Sequence, residues 1–289
     1  MPASRKRKPK PAGSGKPALT AAVVPTRRQR ESYAERTPAD TVRADLDAAN
    51  ALMADRSFGT GSNDLIVQAY RSLERSPFCV DAYMALSEEV RDPEQSLDYL
   101  RRGIHAGELA LHGLDPADDA FWAHSEGRLY IEARIRLADA QLHTQEESAI
   151  AGLRAVLAFD PADRSGARYV LLQALLNQDE ILPARDLLDM YPDDRSTAWM
   201  YGRLLVGYRE EQRAGPAVRA LMAQALASNR HVPGVFAQVV EVDDEVERDP
   251  GSPGEAALYD AEYGPRWDDE PGAVEWLIAL AASTVGPAL

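Results

Sequence analysis

From Thr41 onward, apolar residues recur three and four positions apart, the spacing of a helix with one buried face. Alternation of β-branched residues is scarce and no Asn-Gly turn occurs, so strands are not expected. Proline and aspartate interrupt the helical pattern at intervals of roughly 30–40 residues, the period of stacked helical hairpins. One unit reads RLADAQLHTQEESAIAGLRAVLAFDPAD. It puts Leu137, Ala138 and Gln141 on one face of a first helix. Ala149, Leu153 and Val156 share a face of a second, which Asp160-Pro161 ends. The next unit, ARYVLLQALLNQDEILPARDLLDMYP, repeats the plan with Tyr169 and Leu172, then Ala184, Leu188 and Tyr191, and closes at Pro192. A third, TAWMYGRLLVGY followed by AVRALMAQALASN, has Trp199 at the large first-helix position and Val218, Met222 and Ala225 on its second helix.

Upstream, DAYMALSEEVRDPEQSLDYLRRGI fits with Leu86, Ser96 and Leu100 at the corresponding places, and ADLDAANALMADRSF pairs with NDLIVQAYRSLERSP. About five hairpins result, with small residues where antiparallel helices touch and proline at the exits, the tetratricopeptide pattern. The expected fold is all-α: a tetratricopeptide-like solenoid over residues 38–231, a linker and C-terminal helical cap over 232–289, and a disordered tail over 1–37.

The cap is predicted from GSPGEAALYDAEYGPRWDDEPGAVEWL, whose period is broken by Pro265 and Pro271. Short helices are expected over 255–263 and 272–283. A repeat array needs a distinct end to cover its last apolar face. His231, Tyr259, Trp267 and Trp276 are therefore assigned to cap packing, with both tryptophans placed near His231 and Trp199.

Stacked hairpins leave a concave face lined by the first helix of each pair. Helical spacing puts Asp81, Met84, Glu88, Glu132, Ile135 and Asp139 on its early part and Val170, Asn177, Met200 and Tyr208 on its later part. The early groove is acidic and the later one neutral or apolar. No row of Lys, Arg and Asn suits an acidic C-terminus, so a protein or peptide partner of basic or mixed charge fits better.

Charge changes the picture at the N-terminus. Residues 1–30 hold nine Lys or Arg and no acid, leaving 23 basic against 46 acidic residues in the rest. MPASRKRKPKPAGSGKPALT has no apolar periodicity and cannot offset its ordering entropy. A second functional reading follows: nucleic-acid association through Arg5, Lys6, Arg7, Lys8 and Lys10. Opposite charge and a long tether also predict transient docking of the tail on the early groove.

The residues offer no catalytic constellation. The single cysteine, Cys79, cannot form an internal disulfide, sits among apolar residues and reads as a buried thiol. His105 and His112 are two helical turns apart, too far to ligate one ion. His124 and His143 have no companions at metal spacing, and His231 reads as a helix C-cap donor. GTGSN at 59–63 lacks the lysine and preceding strand of a phosphate loop. Asp118-Asp119, Asp193-Asp194 and Asp268-Asp269 read as solvated loop carboxylates. An enzyme, a cofactor and a metal are not expected. No apolar run reaches the roughly 18 residues of a membrane span, and ALTAAVV is too short for an export signal. A cytoplasmic location is expected by default.

Five segments follow one another in order: DPADDAFWAHSEGRLYIEARIRLADAQL, RYVLLQALLNQ, YPDDRSTAWMYGRLLV, NRHVP and SPGEAALYDAEYGPRWDDEPGAVEWL. In that order the chain resembles the suppressor-of-tumorigenicity-seven family, specifically its soluble bacterial members with tetratricopeptide-like repeats, over residues 60–280. The most specific matches are His231, Val232, Pro233, Glu255, Ala256, Tyr259, Trp267, Gly272, Ala273, Glu275 and Trp276. The resemblance implies an all-α repeat fold without known catalytic residues. Animal members are membrane proteins, and their spans are missing here. The acidic stretch 234–250 departs from the family's apolar linker, and the basic tail lies outside the match. The resulting expectation is a non-catalytic scaffold that holds a protein or peptide in a helical groove.

Overall fold

The computed structural model describes residues 24–37, 39–55, 61–142, 144–239 and 249–285, and every regular element among them is an α-helix. The all-α expectation holds. Five consecutive pairs coincide with the expected hairpins: α2 (Ala39–Ala54) with α3 (Ser62–Arg75), α4 (Val80–Glu89) with α5 (Pro93–Ala110), α7 (Ser125–Gln141) with α8 (Glu146–Phe159), α9 (Ala167–Asn177) with α10 (Ile181–Met190), and α11 (Thr197–Arg209) with α12 (Pro216–Ser228). Each pair packs together and against the next. A short helix, α6 (Asp119–Ala123), leads into α7.

Local chemistry sets the boundaries. The Asp92 carboxylate accepts from Glu94 N–H, and Pro93 opens α5 where no amide hydrogen is needed. Ser196 Oγ caps α11 at Trp199 N–H, and Ser252 Oγ caps the penultimate helix at Glu255 N–H. Small residues let the helices close. At Gly107 of α5 a Cβ would lie 2.8 Å from Tyr130 of α7. Ala49, Ala82, Ala133, Ala149, Ala174, Ala184 and Ala225 are fully buried.

The first helices also meet one another: α2 packs on α4, α4 on α7, α7 on α9 and α9 on α11. The second helices stand further apart. A cleft of about 490 Å³ opens between α8 and α10 over Leu171 and Leu175 of α9. Another of about 450 Å³ lies between α10 and α12 over α11. The row of first helices is therefore the tight inner side.

At the N-terminal side the expected boundary of the tail is corrected. Residues Arg27–Arg36 form α1, opened by a capping box between Thr26 and Gln29. Two side chains hidden within the basic run anchor it. Arg30 is 2% exposed and donates through Nη1 to Pro25 O at 2.6 Å and Tyr83 Oη at 3.1 Å. Tyr33 donates to Asp45 at 2.7 Å and meets Phe78 edge-on. The rest of the proposed tail, residues 1–23 with Arg5, Lys6, Arg7, Lys8 and Lys10, lies outside the described residues.

The C-terminal region consists of α13 (Val232–Phe236), α14 (Pro253–Asp268) and α15 (Ala273–Val285). The expected break at Pro265 does not occur. Proline forfeits one ladder bond, but Tyr263, Gly264 and Trp267 are buried on either side of it and the helix continues past it. Helix α15 packs on α12 and α13, while α14 packs on α9 and α11. Among the described residues no helix is long and apolar enough to cross a membrane.

Candidate functional site

The row of first helices is where the sequence places its groove, and its two halves differ. Across the later half lies α14. Gln173 of α9 donates to Glu262 O at 2.9 Å, and Tyr263 Oη donates to Tyr169 O at 3.1 Å. Tyr259 of α14 packs on Tyr201 of α11 with ring centroids 5.6 Å apart. Arg209 at the end of α11 pairs with Glu270 just beyond α14 at 2.7 Å. Of the later groove residues, Met200 is 1% and Tyr208 4% exposed, and Val170 and Asn177 are half-buried. The open apolar groove expected there is thus corrected: the chain's own helix covers it.

Tyr208 belongs to the closing cap. Its hydroxyl donates to Pro271 O at 2.7 Å and its ring tilts on Trp276 at 5.1 Å. Trp276 stacks on Trp267 at 6.5 Å and donates to Arg213 O. Trp267 is fully buried and donates Nε1–H to Tyr259 Oη at 2.9 Å. Tyr259 in turn stacks on Tyr263 at 4.9 Å and on Phe236 at 6.0 Å. Trp199 is edge-on to Tyr169 and Tyr191, and Tyr169 O in turn accepts from Tyr263 of α14. Helix α12 ends at its C-cap Asn229, which is 1% exposed and whose N–H donates to Ala225 O. Its side-chain amide donates to Ser252 O at 2.9 Å and Glu255 Oε2 at 3.0 Å, and its Oδ1 accepts from His231 N–H.

The earlier half, on α4 and α7, is accessible. Glu88 and Asp139 are exposed, and Asp81, Glu132 and Ile135 are half-buried. Met84 is the exception at 2% exposure. It points into the contact of α4 with α5 and α7, beside Val80, Leu100 and Ala133. Sequence reasoning missed Arg136, which bridges Glu88 of α4 and Glu132 of α7. Burial pushes the Asp81 carboxyl up, and Arg136 pulls it partly back.

Beneath this face lies a buried carboxylate that no sequence pattern announced. Glu126, in the first turn of α7, is fully buried. Its Oε1 accepts from Asn50 Nδ2 of α2 at 2.7 Å, and its Oε2 accepts from Val80 N–H, the first residue of α4, at 2.9 Å. Burial, with Asp81 and Asp47 nearby, raises its pKa to about 7, against the pull of the two hydrogen bonds. Cys79, fully buried as expected, donates to Asn50 Oδ1 at 3.2 Å. Burial and Glu126 push its thiol up, so it is a poor nucleophile.

Several residues weighed and set aside in the sequence have structural partners. Asp194, expected to be solvated, accepts from Arg168 at 2.9 Å, Tyr169 at 2.8 Å and Ser196 N–H at 2.8 Å. Burial works against its charge, but these bonds hold it below the usual carboxylate range. His105 stands between Glu31 of α1 at 3.8 Å and Glu108 at 3.4 Å. His124 Nδ1 accepts from Glu126 N–H at the head of α7. His143 lies outside the described residues. Among those residues no group of three or more His, Cys, Asp or Glu is placed to hold a metal ion.

No protein-family model matches the chain, and no curated protein matches it.

Proposed function

We propose that this protein is a non-catalytic, cytoplasmic binding scaffold built as a tetratricopeptide-like solenoid, and that it holds a basic or mixed-charge segment of a partner protein on the α4–α7 face. One observation carries the reading. The inner row is covered by α14 over α9 and α11, while over α4 and α7 it stays accessible and bears Asp81, Glu88, Glu132 and Asp139 against the bridging Arg136 and the exposed Arg128, a net negative face. A face of that charge favours and steers cationic ligands. Membership of the suppressor-of-tumorigenicity-seven family is proposed on the order of the resembling segments in the sequence alone. The test is fluorescence anisotropy with matched arginine-rich and glutamate-rich peptides. The arginine-rich peptide binds, weakens as salt rises, and loses affinity on Glu88→Lys with Asp139→Lys. Equal binding by both proteins rules the face out.

A second reading, nucleic-acid association, is favoured by α1. Its outer side presents Arg28 and Arg36 two turns apart, with Gln29 and Ser32 between them around a shallow depression. This extends the upstream basic run onto an anchored helix. If nucleic acid is the ligand, Arg28→Ala with Arg36→Ala flattens the salt dependence of binding by about two counterions' worth. An unchanged slope removes α1 from that interface.

A further inference from the structure

We propose that Glu126 is a proton-operated latch, which fastens the leading ends of α4 and α7 to α2 when protonated and loosens them when ionised. That the latch regulates partner binding rests on the α4–α7 reading above; the latch itself does not.

The contact joins three helices through one carboxyl group. Asn50 comes from the last turns of α2, Val80 N–H from the first position of α4, and Glu126 from the first turn of α7. Helix α4 has no capping bond from its own N-cap residue, Cys79, so the Glu126 oxygen supplies the acceptor that its first amide needs. The charged groups that face the site are Asp47 on α2 and Asp81 on α4, both of the same sign as an ionised Glu126. Cys79 adds a neutral thiol. Burial, and then Arg43, lower the pKa of His124 at the head of α7, while Asp47 acts the other way. Arg136 acts on Asp81 and is paired with Glu88 and Glu132. Helices α5, α6, α8 and α9, which also pack on α7, place no ion pair or hydrogen bond on the carboxyl among the described residues. An ionised Glu126 is therefore a buried anion with two donors, two like charges nearby and no paired cation among the described residues, a costly arrangement.

Protonation resolves the conflict with a single side-chain rearrangement, a turn of the Asn50 amide. A proton from bulk water makes one Glu126 oxygen a donor. The Asn50 amide turns over, so that Oδ1 accepts the new O–H and Nδ2–H points at Cys79 Sγ, a weak acceptor. The other Glu126 oxygen keeps accepting from Val80 N–H. The closed contact thus binds the proton more tightly than an opened one, whose carboxyl has the ordinary value near 4.5. Opening is favoured as pH rises towards neutrality, and no further beyond it.

Cys79 is the only cysteine in the chain and is fully buried in this contact, so its rate of labelling reports opening here. The experiment compares full-length protein with Glu126→Gln, an isostere of the protonated acid, using a pyridyl disulfide. Taking the ratio of the two rates at each pH cancels the thiol's own ionisation. The ratio of wild type to variant is expected to rise about tenfold per pH unit between about pH 5 and 7 and to level off above that. A flat ratio overturns the latch. Carbon-13 titration of the Glu126 carboxyl in the wild-type protein needs no variant. A midpoint near neutrality supports the latch, and one in the ordinary carboxylate range overturns it. Failure of the arginine-rich peptide to bind at any pH removes the groove reading alone, because neither measurement uses a ligand.

Discussion

Trp267 and Trp276 stack on each other but differ in what they hold. Trp267 is fully buried, with its indole N–H spent on Tyr259, so Trp267→Ala leaves a large cavity and an orphaned hydroxyl. A loss of about 3–5 kcal/mol is expected, read from the shift in urea midpoint. Trp276 is half-buried and bonded to Arg213 O, and its removal is expected to cost less than half as much. Equal losses would show that the two act as one unit. Among the shifted carboxyls, two act on the pH dependence with opposite signs. Asp194 has a lowered pKa, so its contribution is present above the unfolded value and is lost as pH falls through the folded one. Glu126 has a raised pKa, so its contribution is full below about 4.5 and is lost as pH rises through about 7. Thermal melts are expected to be highest in mildly acid buffer, and Glu126→Gln is expected to remove the decline towards neutrality. Neither carboxyl was legible in the sequence. Asp194 looks like half of a solvated pair, and Glu126 stands in HSEGRLY with nothing to distinguish it from a surface residue of a helix start.

Helices were the most legible elements, because a period of 3.6 is local and each hairpin carries its own proline or aspartate stop. What failed were judgements that depend on a neighbour. Met84 has the spacing of a groove residue, but α5 and α7 meet on its side of α4. Pro265 looks like a stop, yet buried aromatics on both flanks carry the helix past it. The basic run obscured α1, because its anchors, Arg30 and Tyr33, are polar residues whose burial only Tyr83, Asp45 and Phe78 explain. Contacts between elements also rank the glycines. A Cβ at Gly127 would fall on the Phe121 backbone, whereas one at Gly152 would lie 3.8 Å from the Ala138 Cβ, an ordinary contact. Gly152→Ala is therefore expected to stabilise by about 0.5–1 kcal/mol through helix propensity. Gly127→Ala is expected to destabilise by about 1–3 kcal/mol or more through overpacking. Calorimetric melting temperatures moving in the same direction for both would contradict this packing.

For the molecule as a whole, the acidic and apolar halves of the inner row were readable from residue type, but their fates were not. Periodicity tells which side of a helix is apolar. It does not tell what covers that side, and here the cover arrives from some ninety residues away, in the contacts of Gln173 with Glu262 and Tyr169 with Tyr263. That placement of α14 gives the accessible face a wall. An extended ligand running along the row from α2 crosses α4 and α7 and then meets α14. With helices spaced about 8–10 Å apart, three of them offer a track of roughly 25–30 Å. At about 3.3 Å per residue, that track holds eight or nine residues of extended chain. The scaffold would then measure its ligand as well as attract it: affinity should climb as a basic peptide is lengthened to about nine residues and then stop climbing.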